Sequence, residues 1–104
     1  MEIVVVWTES AIEELRSIYD YYFYKASEKV AKKMVNNIVD STIKLEHAPQ
    51  IGQQEKLLAH LKSEIRYIVQ GNYKIVYLFD GKFISIITVF DCRQNPEKLK
   101  QKLK

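Results

Sequence analysis

The chain opens on an apolar run closed by a tryptophan, Ile3-Val4-Val5-Val6-Trp7, and then changes to a helical period. β-branched residues over 2–7 predict a strand buried on both faces. Thr8 is placed to cap the helix that follows, with Ser10 and Glu13 as an alternative capping box, and Ala11, Leu15, Ile18 and Tyr22 recur on one helical face. This helix ends near Lys25. Ser27 caps a second helix whose inward stripe is Val30, Met34, Ile38, Ser41 and Leu45, and which stops before Pro49 because proline disfavours helical dihedrals in the residue preceding it. So short a connection makes the two helices antiparallel neighbours.

From Pro49 to Leu61 no period is sustained, and Pro49 and Gly52 mark a loop with room for one helical turn. The pattern then becomes that of strands. Ile65 to Gln70, Tyr73 to Phe79 and Phe83 to Asp91 are rich in Ile, Val, Tyr and Phe, and Gly71-Asn72 and Asp80-Gly81 join them as two-residue hairpin turns, the second suited to type I′. Asn95-Pro96 opens a short C-terminal helix from Glu97, since proline is tolerated at a first helical position. The expected fold is α+β in the order β-α-α-β-β-β-α: an antiparallel twisted sheet with the N-terminal helical hairpin packed on one face.

The chain has 104 residues, 47% of them apolar and 28% charged, an ordinary globular balance with room for one domain spanning residues 1–104. No apolar run reaches the ~18 residues a membrane span needs, and the start of the chain is too short and too early charged for a secretory signal. One cysteine, Cys92, excludes an intrachain disulfide framework and fits a cytoplasmic protein; with only His47 and His60 beside it, no spacing suggests a metal site. Cys92 reads as an inert thiol, the two histidines as surface residues and Trp7 as core. The net charge of +3 does not by itself argue for nucleic acid, but its distribution is uneven. Thr8 to Tyr24 carries Glu9, Glu13, Glu14 and Asp20 against Arg16, whereas Cys92 to the C-terminus carries Arg93, Lys98, Lys100, Lys102 and Lys104 against Glu97.

Arg66, Tyr67, Tyr73, Lys74, Tyr77, Asp91, Arg93 and Gln94 lie on or just beyond the strand meander, and the antiparallel pairing is expected to bring them close together. Two readings stay open. The cations can bind phosphate, or they can pair with Glu64, Asp80 or Asp91, which is the commoner fate of charges near strand ends. Tyr19, Tyr21, Tyr22 and Tyr24 crowd one helix, where packing and partner contact compete with stacking on nucleotides.

Particular strings carry a resemblance. Trp7-Thr8-Glu9-Ser10-Ala11, Ile18-Tyr19-Asp20-Tyr21-Tyr22, Pro49-Gln50-Ile51-Gly52, Glu64-Ile65-Arg66, Tyr73-Lys74-Ile75-Val76-Tyr77 and Val89-Phe90-Asp91-Cys92-Arg93-Gln94-Asn95-Pro96 together resemble the RelE/ParE family of type II toxins, which includes plasmid stabilisation proteins. The resemblance covers nearly the whole chain. It implies a growth-inhibiting toxin without a cofactor, neutralised by a cognate antitoxin, with a non-toxic binding module of the same fold as an alternative.

One branch of that family cleaves messenger RNA on the ribosome. The positions matching its catalytic cations are Lys74 and Arg93, but the Tyr or His that such members carry in the C-terminal segment is absent, since neither residue type follows Tyr77. The other branch resembles ParE, which binds DNA gyrase and is not itself an enzyme; the first-helix tyrosines and the Pro49-Gln50-Ile51-Gly52 link are more similar to it. On this branch Arg66, Arg93, Gln94 and Lys98 are the expected target contacts, and Tyr19, Tyr22 and Tyr67 the expected antitoxin contacts.

Overall fold

The computed structural model describes residues 3–58 and 64–102. Its elements run β1 (Val4–Trp7), α1 (Glu9–Lys25), α2 (Glu28–Ile43), β2 (Gln53–Gln54), β3 (Ile65–Gln70), β4 (Tyr73–Phe79), β5 (Phe83–Asp91) and α3 (Glu97–Lys102). Single 3-10 turns extend α2 at Lys44–Glu46 and follow β2 at Lys56–Leu58. The architecture is the α+β one expected, with the helical hairpin preceding the sheet. Glu2, the first residue of the expected strand, and His60 and Leu61 fall outside the described residues.

The five strands form one sheet in the order β1-β5-β4-β3-β2. β3, β4 and β5 are the antiparallel meander, while β1 pairs parallel with β5, Val4 opposite Phe83 and Trp7 opposite Ile86, so the sheet is mixed. This pairing corrects the expectation for β1. It is an edge strand: Val5 and Trp7 pack against the core under the helices, while Val4 and Val6 face the other way and stay exposed.

Thr8 shows why α1 starts where it does. Its hydroxyl oxygen accepts from the Ala11 amide at 3.2 Å, and the same hydroxyl lies 3.0 and 3.2 Å from the Ile86 and Ile87 carbonyls. Those carbonyls are exposed to it because Ile87 is a bulge: Val76 faces Thr88 and the next residue, Tyr77, faces Ile86. Ser27 caps α2 by accepting from the Val30 amide at 3.1 Å. Its inward stripe keeps Ile38 and Leu45 as expected, with Met34 packed against the core, but Ala31 and Thr42 are buried in place of Val30 and Ser41, and Val30 is exposed. Alanine lets the helix approach its neighbours closely, whereas Val30 would have turned a polar flank inward.

The first hairpin turn is the two-residue Gly71-Asn72 turn expected, with Gln70 paired to Tyr73, whereas the second differs from expectation. Gly71 has φ 60° and Asn72 does not share the positive sign, the signature of type II′. Residues 80–82 make a longer loop in which Gly81 has positive φ and Asp80 does not; the Asp80 carboxylate instead accepts from the Lys82 and Phe83 amides at 3.0 and 2.8 Å. These bonds hold the Asp80 carboxyl below the usual carboxylate range.

Two apolar clusters lie on opposite faces of the sheet. The larger joins Ala11, Ile18, Ile38 and Leu45 of the helical layer to Ile68, Tyr73, Ile75, Tyr77, Ile84, Ile86 and Val89. The smaller is Leu58, Ile65, Val76, Phe90 and Leu99, which closes the other face under α3.

Candidate functional site

Strand alternation splits the polar residues of the meander between the two faces. On β4, Tyr73, Ile75 and Tyr77 face the helices, and Lys74 and Val76 face α3. The expected gathering of Arg66, Lys74 and Arg93 therefore does not form.

On the α3 face, the Lys74 ammonium lies 2.8 Å from a Glu55 carboxylate oxygen and 4.3 Å from the centre of the Tyr67 ring. Glu55 is buried, and its other oxygen accepts from the Leu57 amide at 3.1 Å. The Tyr67 hydroxyl is 2.9 Å from the Gln53 side-chain oxygen. Sequence reasoning missed Glu55, because it lies in an aperiodic stretch and meets Lys74 only through the edge pairing of β2 with β3.

On the helical face, Arg66 is committed to local structure. It donates to the Gly52 carbonyl at 2.9 Å and pairs with Glu64. Arg93 is held differently. Asp91 accepts from its Nε at 3.0 Å and from Nη2 at 2.8 Å, and from its backbone amide at 2.9 Å. This grip lowers the Asp91 carboxyl and raises the Arg93 guanidinium from their ordinary values. Both arginines thus follow the salt-bridge reading, yet more than half of the Arg93 side chain remains in solvent.

Tyr73 and Tyr22 lie beside Arg93. Burial, chiefly, and the hydrogen bond with Tyr22 push the Tyr73 phenol up, so it stays protonated well into the alkaline range. Gln94 and Lys98 are exposed beyond β5, and Asn95 caps the turn into α3 by accepting from the Glu97 amide at 3.0 Å. With Lys98 they extend the basic end past Arg93.

The three tyrosines expected to meet a partner do not share a surface. Tyr22 packs toward the sheet and Tyr67 lies on the α3 face. Tyr19 lines a solvent-open groove of about 230 Å³ between α1 and α2, with Ile12, Leu15, Arg16 and Val35. Tyr19 also stacks on Phe23 at a centroid separation of 6.0 Å, which continues the apolar line toward the end of α1. Ile12 and Val35 were missed, although Ile12, Tyr19 and Phe23 form a second apolar stripe on α1, and a helix with two such stripes has one to spare.

Among the described residues, then, the site is a groove on the hairpin, an anchored arginine at the basic end, and a lysine sequestered on the opposite face. Comparison with known proteins gives the family. The model of the ParE toxin of type II toxin-antitoxin system, parDE, matches residues 5–96, and the chain belongs to that family. No curated protein matches the sequence. Among solved structures, one titled as a chromosomal ParDE TA system from P. aeruginosa is similar over 86% of this chain and 95% of that one, at 22% identity and a TM-score of 0.71. A YoeB dimer from Staphylococcus aureus is matched over the same shares at 21% identity and a TM-score of 0.48. No helix among the described residues is long and apolar enough to cross a membrane.

Proposed function

We propose that this ParE-type toxin inhibits growth by binding DNA gyrase, without bond-breaking chemistry of its own, and that a cognate antitoxin neutralises it by laying an amphipathic helix in the groove between α1 and α2. The observation that carries the binding reading is the separation of Lys74 from Arg93. Cleavage of a phosphodiester needs cations and a proton-transfer group around one phosphate. Here the Lys74 ammonium is occupied by Glu55 and Tyr67 on one face of the sheet, while Arg93 lies with Asp91 near Tyr22 and Tyr73 on the other. The nearby Tyr73 phenol, pushed upward by burial, is poorly matched to proton transfer at neutral pH. A binding surface asks less: an exposed arginine in a fixed pose is a common interface anchor.

The groove supports the antitoxin assignment, because a line of apolar side chains from Ile12 to Phe23 suits the spacing of one helical face on a partner. The family implies such a partner, and the ParDE system supplies the fold neighbour.

The test runs two assays on the purified protein. Ribosomes programmed with a defined message are mapped by primer extension, and supercoiling by gyrase is followed in parallel. Inhibited supercoiling with intact message is expected. Codon-positioned cleavage at substoichiometric protein would replace the proposal with the ribosome-dependent ribonuclease. The antitoxin site is tested by Tyr19→Asp, which is expected to abolish co-purification with the product of the adjacent reading frame while leaving the melting temperature within a few degrees.

A further inference from the structure

The Arg93 guanidinium is held on one edge and open on another. Asp91 accepts from Nε at 3.0 Å and from Nη2 at 2.8 Å, which occupies the side-on edge. Nη1 has no partner among the described residues, so the end-on edge, made by Nη1 and the remaining Nη2 hydrogen, is free, and the side chain is 54% exposed. The backbone beneath it is fixed as well. The Arg93 amide donates to the same carboxylate at 2.9 Å, the Cys92 amide to the Asn72 carbonyl at 2.7 Å, and the Gln94 amide to the Asp91 carbonyl at 3.0 Å.

An aromatic border adjoins this edge. Tyr22 and Tyr73 lie beside Arg93, and Tyr21, which is 50% exposed, meets Tyr22 edge to face at 5.0 Å. Tyr21 is also seven residues, about two helical turns, after Glu14, whose carboxylate reaches Thr88 and Val89 of β5. Tyr21 therefore stands on the β5 side of α1, and Tyr22 connects it to the arginine just past the end of that strand.

We propose that this surface docks an acidic patch of the protein target, a carboxylate seating on the end-on edge of Arg93, and that Asp91 is a positioning residue that aims this edge. The proposal rests on Arg93 being a target contact, and adds the chemistry it meets and the residue that sets its geometry. An arginine already fixed loses less freedom on binding than one that swings in solvent. A carboxylate matches the planar fork with two parallel hydrogen bonds. Protein is favoured over nucleic acid because Asp91 offsets the local charge, whereas a phosphate backbone is held by the summed charge of several cations. Lys74, which could have added to that sum, is sequestered on the opposite face. A fixed arginine beside an exposed tyrosine joins two of the residue types that anchor protein interfaces.

The test measures the cellular level of toxin that halves the growth rate, with each chain induced without antitoxin and quantified by immunoblot. Arg93→Ala is expected to raise that level about 10-fold or more, the effect of losing an interface anchor. Arg93→Lys, which keeps the charge and loses the fork, should act nearly as strongly. Asp91→Asn should raise the level about 3-fold or more and add nothing in the Arg93→Ala background, a pattern that mere loss of stability does not give. On the purified chain, short polyglutamate should shift the Arg93 guanidinium resonance to saturation in NMR spectra, and an oligothymidylate of equal charge should not. The proposal is overturned if the parent does not inhibit growth, if Arg93→Lys or Asp91→Asn is as toxic as the parent, or if the effect of Asp91→Asn persists without Arg93. It is equally overturned if polyglutamate leaves the resonance unmoved or the oligothymidylate moves it as far, the latter assigning Arg93 to phosphate. Gyrase is judged separately: if the expected results hold while supercoiling proceeds undisturbed, gyrase is not the target and the carboxylate belongs to another protein.

Discussion

At Gly52 a missing side chain makes room for the most buried tyrosine of the sheet. A Cβ there would stand 2.5 Å from the Tyr77 hydroxyl and 2.8 Å from the Tyr67 carbonyl. The hydroxyl occupies that space because it donates to the Pro49 carbonyl at 2.7 Å and accepts from the Gly52 amide at 3.0 Å, pinning both ends of the Pro49-Gln50-Ile51-Gly52 link to β4. Gly52→Ala should therefore cost about 1 to 3 kcal/mol, as overpacking does, and lower the melting temperature by several degrees; thermal denaturation checks this. The motif was legible in the sequence but its reason was not, since Gly52 and Tyr77 are brought together only by folding. Lys74 and Arg93 were legible as cations, whereas their acids Glu55 and Asp91 decide what they can do. Asp91 gives a second expectation. With its folded pKa below the unfolded one, the Arg93 pairing is fully present above about pH 4 and is lost as pH falls through the folded value. The difference in melting temperature between the parent and Asp91→Asn should narrow as pH drops from about 6 to about 2.5.

Between elements, the least replaceable contact is the one that fixes α1 on β5. Glu14 receives the Thr88 hydroxyl at 2.8 Å and the Val89 amide at 3.1 Å, just past the Ile87 bulge whose neighbouring carbonyls contact Thr8. Thr88 is 1% exposed, so Glu14→Ala would leave its hydroxyl and the Val89 amide without that acceptor in a nearly dry place. A loss of about 2 kcal/mol or more is expected in urea denaturation, and Glu14→Gln, which keeps an acceptor, should recover part of it. The meander was readable to the residue because each of its strands is long and bounded by glycine turns. β2, of two residues, has no period to read, and its presence is felt only through its pairing with β3. β1 was misjudged for a different reason: an apolar run fits a central strand and an edge strand alike, and only the parallel register with β5 shows which one it is.

Taken whole, the molecule is held by two clusters of unequal size, and the smaller has one anchor in the C-terminal helix. Leu99 is fully buried against Leu58, Ile65, Val76 and Phe90, whereas the other described side chains of α3 are exposed. A helix of six residues does not hold its shape alone, so α3 persists because Leu99 docks it. Undocking would expose the smaller cluster and leave the helical hairpin and its core in place, which makes α3 a candidate for local opening below the global unfolding free energy. Leu99→Ala should accordingly release the α3 amides to hydrogen exchange first. Its melting temperature should fall less than that of Ile38→Ala, where a larger cost of about 2 to 5 kcal/mol falls on the main core. Equal falls would show instead that both faces unfold as one unit. The same helix displays Lys98 and Lys100 at the basic end, so if that end carries toxicity, Leu99→Ala should also weaken growth inhibition in a protein that is still folded. Arg93→Ala, which leaves the smaller cluster and its Leu99 anchor intact, should weaken it with no change in α3 exchange, and the pair of variants separates loss of a contact from loss of the platform that presents it.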